Sequence, residues 1–234
     1  MNAHDFSGRK SGEGTALAEG YEDEDEDIGY YISTMVNRHP EYEEMLELLV
    51  TGTDEAASPS EERFSGTSGH EAYLKAYLMT ISGLPKPRHF RLFDVVNEDT
   101  YNAYEILRGN SKKILDLLEI GDWEDDVWIE NILLIDKIEA KKECRGRGMA
   151  LRLMREVVGI FAKEGTLTIL QAMPFGDEVN KGAKDIRRLT DYYLSDSILG
   201  FKEIDAEQHP GWLVRYGTQG YGAESECCTF SRYS

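Results

Sequence analysis

A strand, a glycine-rich turn and an amphipathic helix follow one another over residues 132–162. The segment opens with a run of Ile, Leu and Asp side chains that predicts a buried strand ending at residue 140. After the turn, apolar side chains recur at spacings of three and four, which predicts a helix with one apolar face: Ala150, Leu153, Met154, Val157, Val158 and Phe161. The rest of the chain is interpreted around this unit.

The first half of the chain predicts short strands with one helix between them. Apolar side chains favour strands over residues 28–36, 71–81 and 90–96, whereas residues 41–50 favour a helix. Residues 51–69 are polar and contain a proline and three glycines, which predicts a long loop.

Two short helices are predicted before the central strand, over residues 100–106 and 111–120. Ser111 is the expected N-cap of the second helix because its hydroxyl can accept from a first-turn N–H, and Gly121 is its expected stop.

Strands and helices continue to alternate after the central helix, which we expect to end at Gly165. Residues 167–172 predict a strand and residues 177–193 a helix, and residues 200–204 and 212–216 predict a final hairpin. This alternation predicts an α/β fold class, with helices on the faces of a sheet.

The charge of the chain is unevenly distributed. The formal net charge is −18 over 234 residues, and residues 1–27 carry nine acidic and two basic side chains. With almost nothing to bury, residues 1–27 predict a disordered acidic tail, and residues 28–234 the folded domain. A tail that binds a partner is the alternative. Because an acidic chain repels phosphate, nucleic acid is disfavoured as a partner.

Cysteine, histidine and hydropathy patterns bear on disulfides, metal sites and membrane segments. Three cysteines, two of them adjacent, do not make a disulfide framework, and no His or Cys spacing suits a metal. No apolar run approaches the ~20 residues that cross a membrane, and no signal-peptide pattern opens the chain. These patterns predict a cytoplasmic protein with no metal and no membrane partner.

The turn over residues 145–148 has the chemistry of a phosphate site. A glycine-rich turn at a helix start exposes backbone N–H groups at the positive end of the helix dipole. Gly146 and Gly148 permit close approach, and Arg145 and Arg147 add positive charge. An ordinary strand-to-helix connection is the alternative. The dinucleotide motif GxGxxG and the P-loop motif are both missing from the sequence.

Residues 145–150, Arg-Gly-Arg-Gly-Met-Ala, match the signature (Q/R)-x-x-G-x-(G/A) at each specified position. On this ground the chain resembles the GNAT acyl-CoA N-acyltransferases. It looks closest to bacterial GNAT-like proteins whose central strand has a Leu-Ile-Asp-Lys-Ile-Glu type of sequence. The resemblance is strong over about residues 128–202 and faint elsewhere.

The resemblance implies the GNAT fold and a co-substrate. The fold would be a mixed sheet, splayed open where the central strand meets the next parallel strand, with helices on both faces. The co-substrate would be acetyl-CoA or another form of coenzyme A. Its pantetheine arm would pair with Ile138, Glu139 and Ala140. Its pyrophosphate would bind the turn and the helix start, formed by Arg145, Gly146, Arg147, Gly148, Met149 and Ala150.

Two carboxylates on the central strand are candidates for the base that accepts the amine proton. Strict alternation places Glu130 and Asp136 on one face, together with Ile138 and Ala140. The resemblance favours Asp136, with Glu130 further back along the strand. A hydrogen bond to a neighbour is the alternative role of Asp136.

Tyr193 is the candidate acid, because the resemblance implies a tyrosine beside the CoA sulfur. Its spacing to Gly200 and Phe201 is three residues longer than the family pattern, with residues 195–197 as the insertion. Packing at a helix end is the alternative role of Tyr193.

The sequence therefore predicts an acyl-CoA-dependent N-acyltransferase acting on a primary amine. The acceptor would be a small molecule or a peptide, and the acidic surface favours a cationic one. A homodimer is left open. The alternative is a non-catalytic GNAT-fold module that binds coenzyme A or a partner protein.

Overall fold

The computed structural model describes residues 30–54, 70–120, 129–174 and 182–217. These residues form seven strands and five α-helices. The strands are β1 (Tyr30–Arg38), β2 (Met45–Asp54), β3 (Ala72–Thr80), β4 (Asn131–Ala140), β5 (Thr166–Gln171), β6 (Lys202–Asp205) and β7 (His209–Tyr216). The helices are α1 (Lys86–Asp94), α2 (Glu98–Gly109), α3 (Ser111–Leu118), α4 (Met149–Phe161) and α5 (Ala183–Leu194).

All seven strands belong to one sheet of order β1-β2-β3-β4-β5-β7-β6. Only β4 and β5 are parallel neighbours, and the other five neighbouring pairs are antiparallel. The crossover between the parallel strands is made by α4, as parallel pairing requires. The sheet is therefore mixed but mostly antiparallel, and the α/β class is confirmed.

Helices cover both faces of the sheet. On one face α4 and α5 pack against a core that includes Leu133, Ile135 and Leu213. On the other face α1, α2 and α3 pack against a core that includes Ile132 and Leu134. Successive side chains of β4 thus enter opposite cores, which is why this strand is apolar on both sides.

Helix α4 lies unusually close to the sheet. A Cβ added at Gly52 on β2 would lie 2.7 Å from Sδ of Met149 and 3.2 Å from Cδ2 of Leu153. Both side chains are buried, and with Met154 and Val157 they form the apolar face that the spacing predicts. The absence of a side chain at residue 52 lets the first turns of α4 pack directly on the strand.

Two secondary-structure predictions are wrong. Residues 45–54 form β2 and not a helix, although Met, Leu and Glu are strong helix formers. Pairing with β1 on one side and β3 on the other outweighs this propensity.

Residues 90–94 lie in α1 and not in a strand. Proline is tolerated in the first helical turn because the N–H it lacks has no partner there, and α1 has such a proline. The adjacent residues Leu92 and Phe93 are both buried on the face of α1 that packs on the sheet.

The other predicted elements within the described residues are confirmed, with shifted ends. Asn110 and not Ser111 precedes α3, and it makes no side-chain cap. Helix α4 ends at Phe161, and Gly165 lies in the turn before β5 with φ +79°. The predicted tail, most of the predicted loop at 51–69, Gly121 and residues 177–181 lie outside the described residues.

Within the described ranges, the structure contains no helix with the length and apolarity needed to cross a bilayer. Across the same residues no group of three or more His, Cys, Asp or Glu side chains is placed to hold a metal ion.

Candidate functional site

The sheet opens between β4 and β5. Their parallel pairing ends at Ile135 and Leu170, while β4 continues to Ala140 with a partner only on the β3 side. A cavity of about 250 Å³ lies in this opening on the α4 and α5 side. Its lining comes from five segments: Ile135 to Ala140, Arg145, Ala150, Leu170 to Pro174 without Ala172, and Arg188, Leu189, Tyr192 and Tyr193.

Asp136 is the extra residue of a β-bulge. Lys137 is opposite Lys75 and Ile135 is opposite Ala76, so Asp136 has no register partner on β3. The parallel ladder also stops at Ile135, so Asp136 has no register partner on β5. A bulge re-aims the side chains that follow it, and bulges are enriched beside active sites.

The bulge corrects the expected alternation along β4. Ile138 and Ala140 pack against the same core as Ile135, on the α4 side. They therefore do not share a face with Asp136, whose side chain is directed to α2. The prediction was wrong because strict alternation assumes an uninterrupted ladder, and the bulge adds one residue.

Asp136 is held by the residue that caps α2. Its Oδ1 accepts a hydrogen bond from Nδ2 of Asn97 at 3.1 Å. The amide oxygen of Asn97 accepts from the backbone N–H of Thr100 at 2.8 Å, as part of a capping box. One amide group therefore fixes both the start of α2 and the orientation of the Asp136 carboxylate. This is the neighbour bond named as the alternative role of Asp136, and it occupies one carboxylate oxygen.

We expect two substitutions at Asn97 to separate these roles. Asn97→Ala removes the cap and should lower the free energy of unfolding by about 0.5–2 kcal/mol. Asn97→Ser keeps a capping oxygen and removes only the donor to Asp136. Its free energy of unfolding should therefore fall clearly less than that of Asn97→Ala. Denaturant unfolding of both variants measures the difference. Equal losses would show that the cap contributes nothing.

A second cavity of about 100 Å³ lies on the α2 side of β4. It is lined by Asp99, Thr100, Leu134, Ile135, Asp136, Gln171, Met173, Pro174 and Trp212. Five of these residues also line the larger cavity: Ile135, Asp136, Gln171, Met173 and Pro174. The two cavities therefore approach each other through the opening in the sheet, with Asp136 at their common wall.

Tyr77 on β3 is a buried neighbour of Asp136. Burial raises the pKa of its phenol, a hydrogen bond with Lys75 opposes the rise, and the charge of Asp136 adds to it. The phenol is therefore protonated at neutral pH. Sequence reasoning missed this residue because Tyr77 and Asp136 become neighbours only when β3 pairs with β4.

The glycine turn leads directly into α4. Gly146 and Gly148 have φ values of +83° and +73°, which other residues rarely adopt. Gly148 is the N-cap of α4 and provides no side-chain cap. A Cβ added at either glycine would meet no heavy atom within 4 Å. The helix start thus faces open space, as an anion site requires.

The residues named for coenzyme A divide into two groups. Ile138, Glu139, Ala140, Arg145 and Ala150 line the larger cavity. Gly146, Arg147, Gly148 and Met149 do not line it, although the first three form the turn between Arg145 and α4. The side chain of Met149 is buried against Gly52 instead.

Arg145 and Glu139 are fixed by neighbours of the cavity. Nε of Arg145 donates to the carbonyl oxygen of Ala140 at 3.2 Å. The carboxylate of Glu139 accepts from Lys137 at 2.8 Å and from the hydroxyl of Tyr73 at 2.9 Å. Lys137 first, and then Tyr73, lower the pKa of Glu139. Its carboxylate is thus engaged away from Asp136.

Tyr193 lies at the cavity with only 6% of its surface exposed. Burial raises its pKa well above the usual value, and the neighbouring Tyr192 adds to the rise. Tyr192 also lines the cavity, and its ring centroid lies 5.5 Å from that of Tyr193. Both hydroxyls are protonated at neutral pH, and a protonated hydroxyl is able to donate a proton or a hydrogen bond.

The inserted residues 195–197 follow α5, and of the three only Asp196 is buried. The carboxylate of Asp196 is 1% exposed, and its Oδ2 accepts from Nη2 and Nε of Arg155 at 2.8 and 2.9 Å. Its Oδ1 accepts from the backbone N–H groups of Ile198 and Leu199 at 3.0 and 3.1 Å. The longer spacing is thus accommodated after the helix, and Tyr193 keeps its place at the cavity.

Glu130 is not brought to either cavity. It precedes β4, is exposed, and its carbonyl oxygen accepts from the backbone N–H groups of Ile81 and Ser82. Asp136 lies six positions further along the chain, which is roughly 20 Å in an extended strand.

Sequence reasoning missed Asn97, which orients Asp136. It also missed several lining residues of the cavities, among them Asp99, Gln171, Arg188 and Tyr192. Asn97 had a recognisable signal, because Asn followed by Thr three residues later is a capping pattern. Arg188 and Tyr192 are four residues apart on α5, so they share a helical face.

No protein-family model matches the chain, and no curated protein sequence matches it significantly.

Proposed function

We propose that the protein is an acyl-CoA-dependent N-acyltransferase with a GNAT fold, which transfers an acetyl group from acetyl-CoA to a primary amine. The observation that carries the proposal is the open cavity between β4 and β5, beside an uncapped glycine turn at the start of α4. An open helix start beside two arginines adjoins a cavity along β4 there, which suits a long thioester with a charged head.

The head of the co-substrate would bind at residues 145–148 and the first turn of α4. The N–H groups of the helix start, the helix dipole and two arginines all favour the pyrophosphate. Arg145 already faces the cavity through its contact with Ala140. Arg147 is exposed on the same turn.

The pantetheine arm would lie along β4 beyond the bulge. Within the described part of the chain, no strand pairs with residues 137–140 on the β5 side, so this edge presents backbone donors and acceptors to the cavity. An extended amide chain pairs with such an edge as an added strand does. The thioester would then lie near Asp136, where the two cavities share a wall.

The reaction needs a base and an acid. Asp136 would take one proton from the ammonium form of the acceptor, and the amine nitrogen would attack the thioester carbonyl carbon. When the tetrahedral intermediate collapses, the C–S bond breaks and the thiolate takes a proton from the Tyr193 hydroxyl. The nitrogen loses its remaining extra proton to water. Tyr193 lies at the cavity with its hydroxyl protonated at neutral pH, although its raised pKa makes it a weak acid.

Acetyl-CoA is expected to raise the melting temperature of the protein, since a ligand at 100 times its Kd adds about 2.7 kcal/mol of stability. Gly148→Ala should weaken this binding at least tenfold, because the added Cβ enters the open space of the turn and φ +73° becomes strained. Calorimetry with acetyl-CoA measures both effects.

Gly83→Ala is the matched control for this substitution. Gly83 has φ +75°, also with nothing within 4 Å of an added Cβ, but it lies outside both cavities. Both variants should lose similar stability, about 1–2 kcal/mol, and only Gly148→Ala should lose affinity. Absence of any wild-type response to acetyl-CoA would contradict the proposed function.

A non-catalytic module that binds coenzyme A is the second candidate. Two observations favour it: one oxygen of Asp136 is engaged by Asn97, and Tyr193 is nearly buried. The two candidates are separated by incubating the protein with acetyl-CoA and a panel of amines and following thiol release. Bound acetyl-CoA without acylation of any amine would support the module.

A further inference from the structure

We infer that the 100 Å³ cavity on the α2 side of β4 is the acceptor site, and that it takes a primary ammonium carried on a short apolar stem. This inference rests on the proposed function, because it names the substrate class of the same reaction. It is carried by the position, the lining and the size of the cavity.

The position of the cavity suits a second substrate. It shares five of its nine lining residues with the larger cavity, Asp136 among them, but its other lining residues lie on the opposite face of the sheet, against α2. A group bound there would reach Asp136 without competing for the space along β4 and α4. Both substrates could therefore be bound at once, on either side of the opening.

The lining combines an apolar wall with two carboxylates. Leu134, Met173, Pro174 and Trp212 supply apolar surface, while the acidic groups are Asp99 and Asp136. The described residues that line this cavity include no lysine or arginine. Asp136 is partly buried and Asp99 is exposed, and both carboxylates favour an ammonium through charge-assisted hydrogen bonds.

The two carboxylates differ in how firmly their side chains are oriented. Oδ1 of Asp136 is directed by Asn97, so that carboxylate presents its other oxygen in a fixed orientation. Asp99 is exposed in the first turn of α2. We assign the binding charge to Asp99 and the proton transfer to Asp136.

The size of the cavity limits the acceptor. Since about 10–15 Å³ admits one water-sized group, 100 Å³ admits a stem of fewer than about ten non-hydrogen atoms. Butylamine, phenethylamine and the side chain of lysine satisfy this limit. Polyamines and aminoglycosides carry further charges along the stem, which the apolar wall would have to desolvate.

The test measures binding without turnover. The chain has three tryptophans, so an amide-correlated NMR spectrum contains three indole N–H signals, one of which belongs to Trp212. Titration with butylamine and phenethylamine should shift the Trp212 signal, whereas 1-butanol, the neutral analogue of butylamine, should not. Spermidine should bind more weakly than phenethylamine at the same ionic strength.

Two variants make the test specific. Asp99→Asn should weaken phenethylamine binding about tenfold and leave acetyl-CoA affinity unchanged. Asp116→Asn, an exposed aspartate on α3 outside both cavities, should change neither. The inference is overturned if 1-butanol shifts the signal as much as butylamine does, if Asp99→Asn binds phenethylamine as the wild type does, or if spermidine binds best.

The outcomes also separate this inference from the proposed function. If the protein binds amines but not acetyl-CoA, the proposed acyltransferase function is wrong and the proposed amine site is supported. If the wild type acetylates amines and Asp99→Asn has an unchanged KM for the amine, the proposed amine site is wrong and the acyltransferase function is supported. A panel that contains free amines and a lysine peptide shows whether the acceptor is a small molecule or a lysine side chain.

Discussion

Asp136→Asn is expected to lower kcat for acetyl transfer by about 10²–10⁴-fold, the range typical for loss of a general base. The substitution is nearly isosteric, and the new amide oxygen can still accept from Asn97. Acetyl-CoA affinity and thermal stability should therefore change little. The loss should appear in kcat, because the carboxylate acts in the chemical step and not in co-substrate binding. Steady-state kinetics with an acceptor identified from the amine panel measures it.

Asp116→Asn serves again as the control, since it removes a carboxylate outside both cavities. Its kinetics should equal those of the wild type. Full turnover in Asp136→Asn would assign Asp136 to the anchoring of α2 alone. The base would then have to be sought among the other polar groups of the smaller cavity, beginning with Asp99.

The largest effect on stability is expected at Asp196. Its buried carboxylate accepts from Arg155 and from the backbone N–H groups of Ile198 and Leu199. Asp196→Ala should lower the free energy of unfolding by about 3–5 kcal/mol, because it leaves these donors without their acceptor. Chemical denaturation followed by circular dichroism measures the loss.

Asp191→Ala is the matched comparison. Asp191 also pairs with an arginine, at 2.7 Å from Nη2 of Arg187, but both side chains are more than half exposed. Its loss should be much smaller, since exposed ion pairs contribute little. Similar losses in the two variants would show that burial of Asp196 does not matter.

The unit of β4 and α4 could be predicted from sequence because its local signals agree. Residues 150–161 have a helical period and good helix formers, and residues 132–135 are apolar on both sides of a central strand. The cavity residues of this unit that were named in advance came from the family resemblance: Asp136, Ile138, Glu139, Ala140, Arg145 and Ala150. In β2 the local signals disagree, because strong helix formers lie on a strand that is held by both neighbours.

The rest of the site depends on contacts that no local pattern encodes. Asn97 and Asp136 are 39 positions apart and meet only when α2 packs on the sheet. Arg188 and Tyr192 come from α5, which reaches the cavity through its packing beside β7. The bulge depends on how β3 aligns with β4, so the sequence of β4 alone does not reveal it.

The bulge has a consequence for how this strand can change without losing the fold. Before Asp136 the odd-numbered residues face α4, and after it the even-numbered residues do. Deleting Asp136 would remove the bulge and leave the facing of the other residues unchanged, because Ile135 and Lys137 already pair with the adjacent β3 residues Ala76 and Lys75. The extra residue is thus not needed for the pairing of β4 with β3, and what it adds is a carboxylate without a register partner at the opening of the sheet.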